Sequence, residues 1–174
     1  MKWIKKFETY NVKIDDTEIS QSDLNLILKG YLDAALWTEE ERLNDVLPKI
    51  DFNDDDEDDE MDDIEKIIHL HNSLNIKPIE TFTKEDIEVD SLIDAYADIK
   101  KFIQLAGNKA INYAIKDQGL ERLGHDIWLT RNGHGAGFFD HSYDDVVEKD
   151  LMQAARNLKE INLFVNDDFK LYFN

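Results

Sequence analysis

The chain has 174 residues, and its 39 Asp and Glu against 20 Lys and Arg set a formal charge of −19 at pH 7. Surfaces built to attract nucleic acid are basic, so this balance argues against a direct DNA- or RNA-binding face, while a hydrophobic fraction of 42% excludes a wholly disordered chain. The absence of cysteine removes disulfides, thiolate nucleophiles and Cys-based zinc sites together.

No run approaches the roughly 18 apolar residues of a membrane span. Met1-Lys2-Trp3-Ile4-Lys5-Lys6 is charged and lacks the apolar stretch of a signal peptide. The expectation is one cytoplasmic domain over residues 1–174, with no contact to a membrane.

In chain order, Met1–Ile14 mixes aromatics with Lys and reads as a weak strand or an arm across the core. Ser20-Gln21-Ser22-Asp23 supplies capping side chains, and Leu24, Ile27, Leu28, Tyr31, Leu32 and Ala35 recur at helical steps. Leu36 and Trp37 extend that apolar face, and Thr38-Glu39-Glu40-Glu41 reads as the cap of a second helix. From Asp51 to Asp63, ten of thirteen residues are acidic; like charges at this density repel, so an acidic loop or insert is expected. Ile64, Ile67, Ile68 and Leu70 suggest a short helix, followed by a connector over Asn75–Val89.

The strongest periodicity follows. With Asp90 and Ser91 as caps, Leu92, Tyr96, Ile99, Ile103, Ala106, Ala110 and Tyr113 step by four and three. This predicts a long amphipathic helix from Asp90 to Asp117, stopped by Gly119, with Gly107 marking a bend or a close contact. Asp126–Thr130 is short, apolar and β-prone, and Asn132-Gly133 is turn chemistry, so a hairpin with Ala136–Phe139 is expected. Asp144–Lys159 reads as a helix with Val146, Val147, Leu151, Ala154, Ala155 and Leu158 inward, and Ile161–Val165 with Phe169–Phe173 as a second hairpin. The fold class is α+β, with helices packed on a small antiparallel sheet formed by C-terminal hairpins.

Three of the five histidines and four of the seven glycines fall within Gly124–His141. Imidazole and carboxylate are metal ligands and acid–base groups, so His125, Asp126, His134, Asp140 and His141 form a candidate divalent-cation site, with Arg131 on a phosphate. The alternative is a structural hairpin in which Trp128, Leu129, Phe138 and Phe139 feed the core. No His-Glu-x-x-His, Gly-x-Ser-x-Gly or phosphate-binding glycine loop is present.

The acidic run also matches a calcium loop from Asp54 to Glu65 at the oxygen positions, but Asp59 stands where the sharp turn needs Gly, so weak, non-specific divalent-cation binding fits better than a true calcium site, and no resident cofactor is expected. Its carboxylates can instead imitate phosphates. Duplex DNA carries one charge per about 1.7 Å, and an extended chain spaces its residues by about 3.3 Å. Asp54, Asp55, Asp56, Glu57, Asp58, Asp59 and Glu60 could then occupy a basic nucleic-acid channel on a partner protein.

The string His125-Asp126-Ile127-Trp128-Leu129-Thr130-Arg131-Asn132-Gly133-His134-Gly135-Ala136-Gly137-Phe138-Phe139-Asp140 resembles a signature of small proteins encoded by bacteriophages and prophages. Tyr31-Leu32-Asp33-Ala34-Ala35-Leu36-Trp37 is similar to their upstream Tyr-x-x-Ala-Leu-Trp element, with one extra residue of spacing. The resemblance covers about a quarter of the chain and implies an origin more than an activity. By analogy with small acidic phage proteins, it points to a counter-defence factor, an anti-CRISPR or anti-restriction inhibitor. The expected partner is a basic nucleic-acid-binding protein such as a host nuclease or CRISPR effector. Asp54–Glu60 would be the principal contact, with Arg131, Asn132 and His134 secondary. The alternative is a metal-dependent enzyme acting on a phosphate or nucleotide substrate through residues 125–141. The long apolar helix would serve a homodimer as readily as a monomer core.

Overall fold

Ser20 and Asp23 cap each other's backbone. The Ser20 hydroxyl accepts the Asp23 N–H at 3.2 Å, and the Asp23 carboxylate accepts the Ser20 N–H at 3.0 Å. From this reciprocal cap runs α1 (Gln21–Val46) in the computed structural model, which describes residues 12–14, 17–46, 82–166 and 170–174. The acidic run at 51–63, the expected short helix at 64–72 and the first part of the connector, 75–81, lie outside the described residues, as does the arm before residue 12. Ahead of α1, β1 (Val12–Ile14) pairs antiparallel with β2 (Thr17–Ile19), Val12 opposite Ile19.

All six periodic positions of α1, from Leu24 to Ala35, are buried. Two expectations fail there. Thr38 does not open a second helix: its hydroxyl donates back to the Ala34 carbonyl at 2.9 Å and accepts the Trp128 indole N–H at 2.7 Å. Trp37 does not extend the apolar face and is 63% exposed, because about 3.6 residues per turn carry it to the far side from Ala35.

Helix α2 (Val89–Gln118) buries Leu92, Tyr96, Ile99, Ile103, Ala106 and Ala110, whereas Tyr113 is exposed. Gly107 interrupts it at φ 76° and ψ 158°, a conformation that glycine alone adopts without strain. A Cβ there would meet nothing within 4 Å, so the residue marks a break and not a close contact. The helix begins before Asp90 because Glu88 is drawn to the C-terminal strand, its N–H donating to the Leu171 carbonyl at 2.8 Å. Ser91 caps nothing; its hydroxyl accepts the Phe173 N–H at 3.0 Å.

The first expected hairpin is a helix. Residues Leu120–Arg131 form α3, in which Leu123, Ile127 and Thr130, and Gly124, Trp128 and Arg131, repeat at steps of four and three and are all buried. A five-residue apolar run carries no periodicity able to separate strand from helix. Asn132-Gly133 ends the helix and does not turn a hairpin. The His134 N–H donates to the Leu129 carbonyl at 3.1 Å with Gly133 at φ 67°, a Schellman closure. A 3-10 turn at Phe138–Asp140 follows, with Phe138 stacked on Phe102 at 5.5 Å while Phe139 is exposed, against expectation.

Helices α1 and α3 meet backbone to backbone. A Cβ on Gly124 would stand 1.9 Å from the Ile27 carbonyl oxygen, and one on Gly30 would stand 1.8 Å from that of Glu121. Beside this crossing, Tyr31 lies edge-on to Trp128 at 5.2 Å, and Phe173 covers both.

Asp144 caps α4 (Asp145–Arg156) by accepting the Val147 N–H at 2.9 Å. Helix α4 packs on α2 through Val147, Leu151, Ala154 and Ala155; Val146, expected inward, is exposed. The second hairpin is present, with β3 (Leu163–Val165) antiparallel to β4 (Leu171–Phe173) and Phe164 opposite Tyr172. The architecture is α+β, four α-helices with two separate two-stranded antiparallel sheets among the described residues. None of these helices is long and apolar enough to cross a membrane.

Candidate functional site

Helix α3 carries two buried polar clusters a little over one turn apart. The first surrounds Arg131, whose side chain is 2% exposed. Its Nε donates to the Lys159 carbonyl at 2.8 Å and Nη2 to the Leu158 carbonyl at 3.1 Å, while Nη1 donates to Asp98 Oδ2 at 2.8 Å and to the Tyr31 hydroxyl. One guanidinium thus joins α1, α2, α3 and the chain leaving α4. Burial among these groups pushes the Tyr31 hydroxyl well above its ordinary range, so it stays protonated. Next to it, Asn132 Oδ1 accepts the Ile161 N–H at 3.0 Å. Arg131 and Asn132, expected on a partner-binding surface, instead face inward and hold the fold together.

The second cluster centres on Asp126, fully buried. His141 Nε2 lies 2.7 Å from Asp126 Oδ2, and Arg122 Nε, one helical turn before Asp126, lies 3.0 Å from Oδ1. The Arg122 approach is an ion contact without hydrogen-bond alignment, because Oδ1 has no hydrogen-bond partner among the described residues. Burial raises the Asp126 carboxyl above its ordinary value, opposed by Arg122 and then by His141. Desolvation, with Arg122 adding to it, lowers the His125 imidazole and favours its neutral form. Tyr143 packs against the His141 ring at 5.2 Å, and burial followed by Asp126 raises its hydroxyl. Both the Tyr143 hydroxyl and His125 Nδ1 are buried without a hydrogen-bond partner among the described residues.

Of the five candidate metal ligands the fold joins only Asp126 and His141; the His125 ring stacks on Trp37, and the other two lie elsewhere. His134 stacks on Trp128 at 6.4 Å, with Nε2 3.9 Å from Glu39. Asp140 accepts the Gly137 N–H at 3.1 Å and closes the 3-10 turn. Among the described residues no three His, Asp or Glu side chains converge as a metal-binding group. The acidic candidates Asp54–Glu60 lie outside the described residues.

Sequence reasoning missed Arg122 and Tyr143 in this region and placed Trp37 on the apolar face of α1. Arg122 stands four residues before Asp126, an ion-pair spacing that carries meaning only once the segment is read as a helix. The Trp37 ring stacks on His125 at 5.9 Å with 28° between planes, a contact no local pattern announces. No protein-family model, curated protein or solved structure matches the chain.

Proposed function

We propose that the chain is a phage-derived counter-defence protein. In this reading it is an acidic inhibitor, anti-CRISPR or anti-restriction, that binds a host nucleic-acid-targeting nuclease and blocks its nucleic-acid site in the cytoplasm. The observation that carries this reading is the packing of ten negative charges, of a net −19, into residues 51–63. Such a run offers a basic channel the charge density it is built to receive. The inward role of Arg131 and Asn132 agrees with a protein whose phage-like string maintains its fold, leaving partner contact to Asp54–Glu60 and His134.

The test adds the full chain to DNA cleavage reactions run by CRISPR effectors and restriction enzymes. Control lanes hold the chain alone with magnesium or manganese. Protection that fades as salt rises, and that is lost when Asp54–Glu60 become Ser and Gly, is expected. Undiminished protection by the substituted chain would remove the mimicry mechanism.

One observation favours a second reading, an enzyme acting on a phosphate or nucleotide substrate through residues 125–141. The buried Asp126 fixes the His141 ring through Nε2, an arrangement suited to proton transfer, with the Arg122 cation close by. Cleavage in the control lanes that His141→Ala abolishes would establish it; lanes that stay uncleaved with either metal count against it.

A further inference from the structure

We propose that the outer face of Trp37 is a stacking platform for an arginine side chain of a basic protein partner. The inference rests on the inhibitor reading and names a contact point for it within the folded domain. Trp37 is 63% exposed, the most exposed large apolar side chain among the described residues, although Ala34 and Ala35 beside it are fully buried. Tryptophan fixed at a surface is a recurrent anchor of protein interfaces.

The ring is held in place. His125 stacks against its inner side at 5.9 Å, and α3 holds His125 half-buried, so the indole presents its other face outward. Among the described residues, the charges near it are paired with one another. Arg122 faces Asp126 at 3.0 Å, and Asp33, one turn before Trp37, is paired with Lys84 at 2.6 Å and lies 3.9 Å from Lys29. Lys29 in turn donates to Glu121 at 2.6 Å, so among the described residues these charges pair off, inside a molecule of charge −19 that draws basic partners. An indole is the best aromatic acceptor for a cation, and the planar guanidinium stacks on it where an ammonium cannot.

The experiment titrates the full chain with deca-arginine and with deca-lysine at physiological salt, reading calorimetry and acrylamide quenching of tryptophan fluorescence. The expected result is tighter binding of deca-arginine, with Trp37→Leu reducing the arginine-over-lysine preference about three-fold and weakening deca-lysine less than deca-arginine. Trp37→Tyr should keep part of that preference. Quenching should fall when deca-arginine binds the wild-type chain, and that change should vanish in Trp37→Leu. An arginine preference equal in wild type and Trp37→Leu, or quenching unaffected by deca-arginine, overturns the platform. Thermal melts of both variants check that the fold is intact; Trp37 is exposed, so no loss is expected. The nuclease assay separates the two ideas. Protection with no Trp37-dependent preference removes the platform and keeps the inhibitor, whereas a Trp37-dependent preference without protection keeps the platform and removes the nuclease as its target.

Discussion

Two buried polar clusters on α3 differ in how completely their groups are paired. Around Arg131, four hydrogen bonds tie one cation to a hydroxyl, a carboxylate and two carbonyls drawn from separate parts of the chain. Around Asp126, a fully buried carboxylate has one aligned partner in His141, and the neighbouring Tyr143 hydroxyl and His125 Nδ1 have none among the described residues. A satisfied network rigidifies and defines a fold, while a partly satisfied one leaves desolvated polar groups whose burial costs free energy. Position in the signature string does not separate them, since Asp126 and Arg131 are five residues apart. Their partners do.

The comparison breaks first at Arg131. Replacement by Ala strands Asp98, Tyr31 and two carbonyls, and urea denaturation should show a loss of about 3–5 kcal/mol. A loss under about 1 kcal/mol would mean the network is not structural. Next comes the helix crossing that positions both clusters. Gly124→Ala forces a methyl group into the Ile27 carbonyl and should cost about 1–3 kcal/mol, read as a lower denaturation midpoint.

The Asp126 cluster is sharpened by pH. Its carboxyl is raised above the ordinary 3.8, so the folded chain holds that proton more firmly than the unfolded chain. The stability this group contributes is fully present below 3.8 and is lost as pH climbs through the raised value. Subtracting the stability of Asp126→Asn from that of wild type should give a difference that declines across this window and then levels off. A difference that rises with pH would show a carboxylate stabilised by its neighbours, and the clusters would then be alike. The smallest effect belongs to Tyr143→Phe. Removing a buried hydroxyl that has no partner should change stability by less than about 1 kcal/mol, in either direction. A larger loss in calorimetric melting would reveal a bond that the geometry does not contain.

Much of this molecule follows from the order of its residues. The faces of α1 and α2 are legible because six apolar positions in each repeat at the helical period, and burial of one stripe is the outcome water imposes on such a pattern. The break at Gly107, the stop at Gly119 and the Asp144 cap follow from equally local causes, a positive φ or a short side chain beside free amides.

Tertiary packing decided the rest. The segment Asp126–Thr130 is helical because Gly30 and Gly124 let α3 lie directly on α1, and a strand could not use that contact. Asn-Gly offers the same positive φ to a helix end as to a hairpin, so its role depends on what precedes it. Whether Arg131 met a partner or the core was settled by Tyr31 and Asp98, 100 and 33 residues away along the chain. Charge and periodicity are properties of a segment, and the sequence determined those. The company a side chain keeps is a property of the packed molecule, because desolvation makes a buried charge tenable only where distant groups arrive to pair with it.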